Sequence, residues 1–409
     1  MYLAKLTTAQ AKEAFKKDPI VVIPVGSTEQ HGTQSALGTD FMVPTYLADH
    51  VEDIENVIIA PTVPYGVCPY HLSFEGSINI GYEGLYLVLH GIMDSLMQHG
   101  AKRFVVLNGH GGNTPSIDRA ALEVYHKGGV CASVDWWSLV AQLDKKFEGG
   151  HGDVLETSAM MAICPESVDL ELSQPINAQD PTENMKAAYI QAVNFKGGIV
   201  RLVRDTKEIA PSGWFGPFDP KESSAELGQQ ALDLAVSYIR DFLEEMKKIE
   251  LLAPAGDLER LKIAFTYGAD AVYIGGEIFG MRSAAKNFTI EEMKEGVEFA
   301  HNLGKQVFVT INIIPRNDDL LQLKDYLLEL QEIGVDAVIV SDPGVFTYVK
   351  ETIPNMEIHI STQASTTNAA SAAFWYKQGA KRVVTARELS FEEIKELREN
   401  TPADMDIET

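Results

Sequence analysis

At 409 residues the chain exceeds one ordinary hydrophobic core, and 45% hydrophobic with 22% charged residues is a globular rather than a disordered composition. The net charge of −24 divides into −15 over residues 1–245 (17 Lys+Arg, 32 Asp+Glu) and −9 over residues 246–409 (17 and 26). Neither part offers a basic footprint for a phosphate backbone, and no nucleic acid partner is expected. The start lacks a signal-peptide pattern, no apolar run approaches the ~18–20 residues of a membrane span, and Cys68, Cys131 and Cys164 make no disulfide framework. A cytoplasmic chain without membrane contact is expected.

Taken in order, Ile20–Val25 is a continuous apolar run ending at Gly26, as a buried parallel strand requires. Residues 57–60, 103–107 and 130–134 predict three more strands. Between the second and third, Leu85, Leu89, Ile92, Met93 and Leu96 recur at helical spacing before Gly100. Strand–helix alternation predicts a three-layer α/β/α domain with a mainly parallel sheet, and places ligands at the carboxyl ends of the strands. A helix from about Ser223 to Glu245 closes this domain, 1–245.

Residues 246–409 have another rhythm. Gly268-Ala-Asp-Ala-Val-Tyr, Gly334-Val-Asp-Ala-Val-Ile and Gly379-Ala-Lys-Arg-Val-Val repeat one phrase, a helix-ending glycine and then a strand. Strands near 250, 271, 306, 338, 357, 382 and 405, with helices between them, predict an incomplete (β/α) barrel of the TIM type. No Pro/Gly/Ser linker joins the parts. Met246-Lys-Lys-Ile-Glu-Leu reads like the beginning of a separate protein, so the expectation is two joined reading frames, the second cut short.

Eight of the ten histidines precede residue 246. The first strand runs into Gly26-Ser-Thr-Glu29-Gln-His31-Gly32, and Gly38-Thr-Asp40 follows. Glu29 and His31, two apart, project the same way from an extended segment. Asp40 has two oxygens with which to bridge ions ~3.5–4 Å apart. Imidazole with carboxylate and no thiolate suits zinc, manganese or iron. Asn108-Gly-His110-Gly-Gly-Asn113 follows a strand and precedes a helix, with Thr114 expected as N-cap and Pro115 in the first turn. His151-Gly-Asp-Val-Leu-Glu156-Thr-Ser158 supplies two further candidates at a loop and a helix start.

Together, Pro24–Gly32, Leu37–Asp40, Asn108–Asn113 and Leu155–Ser158 resemble the motifs of the creatininase family over about residues 1–245. The resemblance implies two divalent ions per chain (zinc, manganese or iron), one held by Glu29, Asp40 and His110 and the other by His31, Asp40 and Glu156. Gly112 stands where creatininase proper has a glutamate, so Glu156 is taken as the ligand instead. Gln34 replaces a second histidine, and His151-Gly-Asp-Val replaces His-Ala-Gly-Glu. A homo-oligomer, a hexamer, is implied as well. The expected chemistry is attack of an ion-activated water on a small-molecule amide, with His151 donating the proton to the leaving nitrogen. His71, Trp136 and Trp137 are expected substrate contacts.

Glu250–Gly256, Gly268–Gly276 and Arg282 with Asn287-Phe288 resemble the start of the collagenase-like peptidase family. Its members are linked to peptidase activity and to RNA or quinone hydroxylation, some with an iron–sulfur cluster. No cysteine lies beyond residue 246, so neither a cluster nor independent catalysis is expected there. The leading expectation is therefore a metal-dependent amidohydrolase cutting a C–N bond of a cyclic amide or formamide. The alternatives are a metallopeptidase trimming a short peptide and a barrel fragment binding RNA or a partner.

Overall fold

The computed structural model describes residues 1–247, 249–280 and 287–409. Lys248 of the seam and Arg282 of the second motif lie outside the described residues. The chain forms two compact units, Met1–Ile249 and Glu250–Thr409.

In the first unit β1 (Ile20–Val25), β2 (Val57–Ile59), β3 (Arg103–Asn108) and β4 (Val130–Asp135) make an all-parallel sheet in the order β2-β1-β3-β4. Central β1 is buried along its whole length, which is why its sequence is a solid apolar run rather than an alternation. Ile20 and Val22 pack into one core with Leu47, Met160, Leu232 and Ile239, from the helices Thr39–Asp49, Val154–Ile163 and Ala225–Met246. Val21, Ile23 and Val25 face the opposite core with Leu85, Leu89 and Ile117, from the helices Gly81–Gln98 and Thr114–His126. Helices thus cover both faces of the sheet.

The last helix of this unit begins after Ser224, whose side chain accepts from the Leu227 N–H. It runs through the seam: Met246 is 4% exposed within the core of the first unit. The residue expected to open the second part therefore packs with the first. An antiparallel meander, β5 (Met185–Tyr189), β6 (Ala192–Phe195) and β7 (Gly198–Arg201), also belongs to this unit.

In the second unit β8 (Leu252–Pro254), β9 (Ala271–Gly275), β10 (Gln306–Ile311), β11 (Ala337–Val340), β12 (Glu357–Ile360), β13 (Arg382–Val384) and β14 (Asp406–Glu408) are parallel and follow one another in chain order. Six α-helices alternate with them among the described residues. This is an incomplete (β/α) barrel. No helix among the described residues is long and apolar enough to cross a membrane.

Candidate functional site

The carboxyl ends of β1 and β3 deliver the expected residues of the first unit to one place. Glu29 and His31 leave β1, and His110 leaves β3. Asp40 and Glu156 each sit in the first turn of a helix, where the macrodipole favours a carboxylate. A Cβ on Gly109 would lie 1.8 Å from the Asp40 carbonyl oxygen, so only glycine lets β3 end against that backbone. A Cβ on Gly112 would lie 2.1 Å from the Val67 carbonyl oxygen, so this backbone has no room for a glutamate there.

Glu29 and His31 are wholly buried, and Asp40 and Glu156 nearly so. His31 Nε2 lies 2.8 Å from Asp40 Oδ1 and 3.5 Å from Glu156 Oε2. His110 Nδ1 lies 3.1 Å from Asp40 Oδ2 and 3.2 Å from Glu29 Oε1. The far nitrogens are tied to backbone carbonyls: His31 Nδ1 to Glu29 O at 3.1 Å, and His110 Nε2 to Val67 O at 3.0 Å. A nitrogen facing a carbonyl must carry the hydrogen, so when either ring is neutral its lone pair is on the nitrogen turned toward the carboxylates, as a ligating histidine needs.

Potential ligand atoms lie within 4.8 Å of one another in three groups: Glu29, Asp40 and His110; His31, Asp40 and Glu156; and Glu29, His31 and His151. The third group fails on its tautomer. Gln30 Nε2 donates to His71 Nδ1 at 2.9 Å and to His151 Nε2 at 2.8 Å, while Gln30 Oε1 accepts from the Gly32 N–H at 3.0 Å. The Gly32 bond fixes the amide, so both imidazole nitrogens accept. The His151 hydrogen is then on Nδ1, which points at Glu29 Oε1 from 3.8 Å.

Electrostatics fits a cation in the two remaining groups. Glu29 Oε2 is buried without a hydrogen-bond partner, and Glu29 Oε1 and Asp40 Oδ2 are buried with only imidazoles beside them. Burial pushes the Glu156 carboxyl up to about 8. Burial opposes charge on His31, yet Asp40 and Glu156 outweigh it and push that imidazole up to about 10. His110 likewise rises well above its ordinary value despite burial, because of Glu29 and Asp40. Three buried carboxylates draw protons onto their histidines; a divalent ion with neutral imidazoles answers the same need.

Other expected residues land differently. Burial holds His151 well below the ordinary imidazole range. It is neutral between His31 and His71, with ring centroids 4.6 and 4.5 Å away, so its proton belongs to an imidazole N–H rather than to the imidazolium expected of a general acid. His71 is buried, its Nε2 3.4 Å from Glu29 Oε1. Trp137 lines the cavity above the cluster, but Trp136, 1% exposed, points into the core and is no substrate contact. Successive residues on their helix, Trp136–Leu143, diverge by about 100°. Asn113, not Thr114, is the N-cap of the helix after β3.

Sequence reasoning passed over Gln30 and the meander. The cavity, about 650 Å³, has the cluster as its floor and Tyr189, Gln191, Ile199 and Arg201 of the meander along its wall. The exchanged residue Gln34 is buried, donating to Gly152 O at 2.7 Å, so it braces the His151 loop from behind. In the second unit a cavity of about 580 Å³ opens at the carboxyl ends of the strands. Thr310, Asn312, Ser361, Gln363 and Thr385 line it, with Tyr273, Arg387 and Glu408.

Family comparison matches residues 4–243 to the family described as creatinine amidohydrolase, and residues 256–409 to peptidase family U32. Among curated proteins, tRNA hydroxylation protein P1 of Bacillus subtilis is 50% identical over 163 residues, 40% of this chain and 38% of that protein. An Escherichia coli 23S rRNA 5-hydroxycytidine synthase is 38% identical over 160 residues, 39% of this chain and 24% of that protein. The chain thus spans well under half the length of these relatives. A candidate creatinine amidohydrolase from Bacteroides fragilis is similar in structure, with a TM-score of 0.50, 24% identity, and coverage of 61% of this chain and 98% of that one.

These findings correct two expectations. The small-amide amidohydrolase reading rested on the first unit, whose likeness to solved structures extends to the fold. The curated relatives instead match the second unit and are named for RNA hydroxylation. The exclusion of nucleic acid falls with it. Net charge argues against a broad basic surface, but carries no weight against a local pocket at the end of a barrel. At the coarser level, the matched families support an enzyme.

Proposed function

The chain belongs to the creatininase family, and from that premise, with the barrel segment that follows, we propose that Glu250–Thr409 is an RNA-binding unit and Met1–Ile249 carries a divalent-metal centre. The RNA reading rests on the cavity at the carboxyl ends of β8–β14, where parallel α/β folds place their ligands. Neutral hydroxyl and amide groups there suit the hydrogen-bonding edge of an unpaired base, and Tyr273 offers an aromatic face. Arg387, exposed at the rim, is placed for an adjoining phosphate. Fluorescence anisotropy of the whole chain with an unmodified tRNA transcript tests this. Binding should weaken by about tenfold in Arg387→Ala, the scale of one charge-assisted contact. No binding by the wild-type chain would end the reading.

The metal reading rests on the buried carboxylates of Glu29 and Asp40, which have only imidazoles for neighbours and lie within ligand distance of them. Glu29, Asp40 and His110 would hold one ion, and His31, Asp40 and Glu156 a second, with Asp40 shared. Bound there, zinc, manganese or iron would supply Lewis acidity toward a substrate oxygen and a water. The chain's own part is to hold Glu29 and Asp40 charged, fix both histidine tautomers through Glu29 O and Val67 O, and present the His151 N–H beside the cluster. Elemental analysis should find about two divalent ions per chain and almost none in Asp40→Ala. Full metal in that variant would refute the shared ligand.

A further inference from the structure

The wall of the first cavity carries a feature that the metal cluster does not use. Arg201, at the end of β7, is the only lysine or arginine among its lining residues. Some arginines of the chain pair with a carboxylate, while others such as Arg204 and Arg387 form no ion pair among the described residues, so what sets Arg201 apart is its place in the cavity wall. Arg103 pairs with Asp18 at 2.6 Å, Arg119 with Glu83 at 2.8 Å, and Arg240 with Asp53 at 2.6 Å. Among the described residues no carboxylate pairs with Arg201; the side chain it meets is the neutral Tyr82 phenol. The cavity thus has among its lining residues a guanidinium without a carboxylate partner as well as the carboxylates of Asp40 and Glu156. Trp137 and Phe215 line it as well.

We infer that this cavity takes a small molecule carrying an oxyanion, a carboxylate or phosphate, which Arg201 grips in its planar fork while the rest of the molecule reaches the cluster. Arg201 is then a specificity-determining residue. The inference rests on the metal reading only for what happens at the far end of the ligand. The zinc-reconstituted full chain would be titrated calorimetrically with N-acetylglycine, its neutral counterpart N-acetylglycinamide, and glycerol phosphate, in wild type, Arg201→Gln, Arg201→Lys and the control Arg204→Gln. The carboxylate and phosphate arms distinguish the two oxyanion sources. At least one acid should bind about tenfold tighter than the amide, and Arg201→Gln should bring that preference to within about twofold. Arg201→Lys should keep part of it, and Arg204→Gln all of it. Arg201 is exposed, so its variants disturb no core.

Equal binding of acids and amide by wild type would overturn the inference, as would no binding of either acid. So would an acid preference that survives in Arg201→Gln, because the anion would then sit on the cluster. Metal analysis of the same samples keeps the two readings apart. A chain that holds no ion yet discriminates through Arg201 loses the metal centre and retains the oxyanion subsite.

Discussion

The floor of the first cavity and the mouth of the barrel are both made at the carboxyl ends of parallel strands, yet they are built from opposite materials. The first gathers Glu29, Asp40, Glu156 and four histidines, largely out of water. The second lines a comparable volume with hydroxyls, amides, apolar side chains and backbone, and among the described residues has side-chain charge only in Arg387 and Glu408. Buried charge is costly unless something compensates it, so its presence points to a missing counter-charge. Neutral polar walls cost little and point only to a ligand that can hydrogen-bond. One region advertises its chemistry by strain in its electrostatics; the other withholds it.

The sharpest way to break the comparison is steric. Gly109→Ala puts a Cβ 1.8 Å from the Asp40 carbonyl oxygen, whereas at Gly256, beside the barrel mouth, the nearest atom is the flexible Arg260 Nη1 at 3.7 Å. Thermal unfolding should show a loss above about 3 kcal/mol for the first and within about 1 kcal/mol for the second. Similar losses would mean that the first site is no more tightly built than the second.

Separation of the units comes next. Their hydrophobic clusters share no residue. A chain of residues 1–249 should therefore keep its full metal content while losing the binding of tRNA. Retained RNA binding would move that function to the wrong unit.

Salt sharpens the contrast further. A protein of net charge −24 has few cations to set against phosphates, so the logarithm of RNA affinity should fall with the logarithm of salt at a slope no steeper than about −3. A slope near −6 would require a broad basic surface, against the net charge of the chain.

The smallest effect is a pH dependence. Burial pushes the Asp153 carboxyl up from the ordinary carboxylate range to about 7. The fold therefore favours its protonated form. That contribution is complete below the unfolded value and disappears as pH rises through 7, so the chelated first unit should lose stability between pH 5 and 8. Asp153→Asn, which keeps an acceptor for the Leu155 N–H, should flatten the change by a few degrees in Tm. An unchanged slope would place the titration elsewhere.

How much was legible follows from the same physics. Strands β1, β2, β3 and β11 could be read because burial on both faces writes continuous apolar runs, and β9, β11 and β13 are also marked by the repeated glycine-then-strand phrase. Glu29, His31, Asp40, His110 and Glu156 stand out because charged side chains beside glycines at strand ends are hard to explain otherwise. The meander left no such mark: β7 is exposed throughout, and exposed residues are free to vary. Gln30 is an ordinary residue until its two imidazole partners are brought from 41 and 121 positions away. Trp136 and Trp137 form one word in the sequence but point in different directions on a helix. Net charge misled for a related reason, since it averages over a surface and recognition occurs at one opening.

That glutamine makes two rings behave as one. To accept a proton on the nitrogen facing Gln30, either His71 or His151 needs the amide to turn through half a revolution. Gly32 would then surrender its acceptor, and the other ring would have to change tautomer in step. A single side-chain torsion therefore ties the tautomers of the two rings together. Amide hydrogens of Gln30 that exchange with solvent far more slowly than those of a surface glutamine would be its spectroscopic trace.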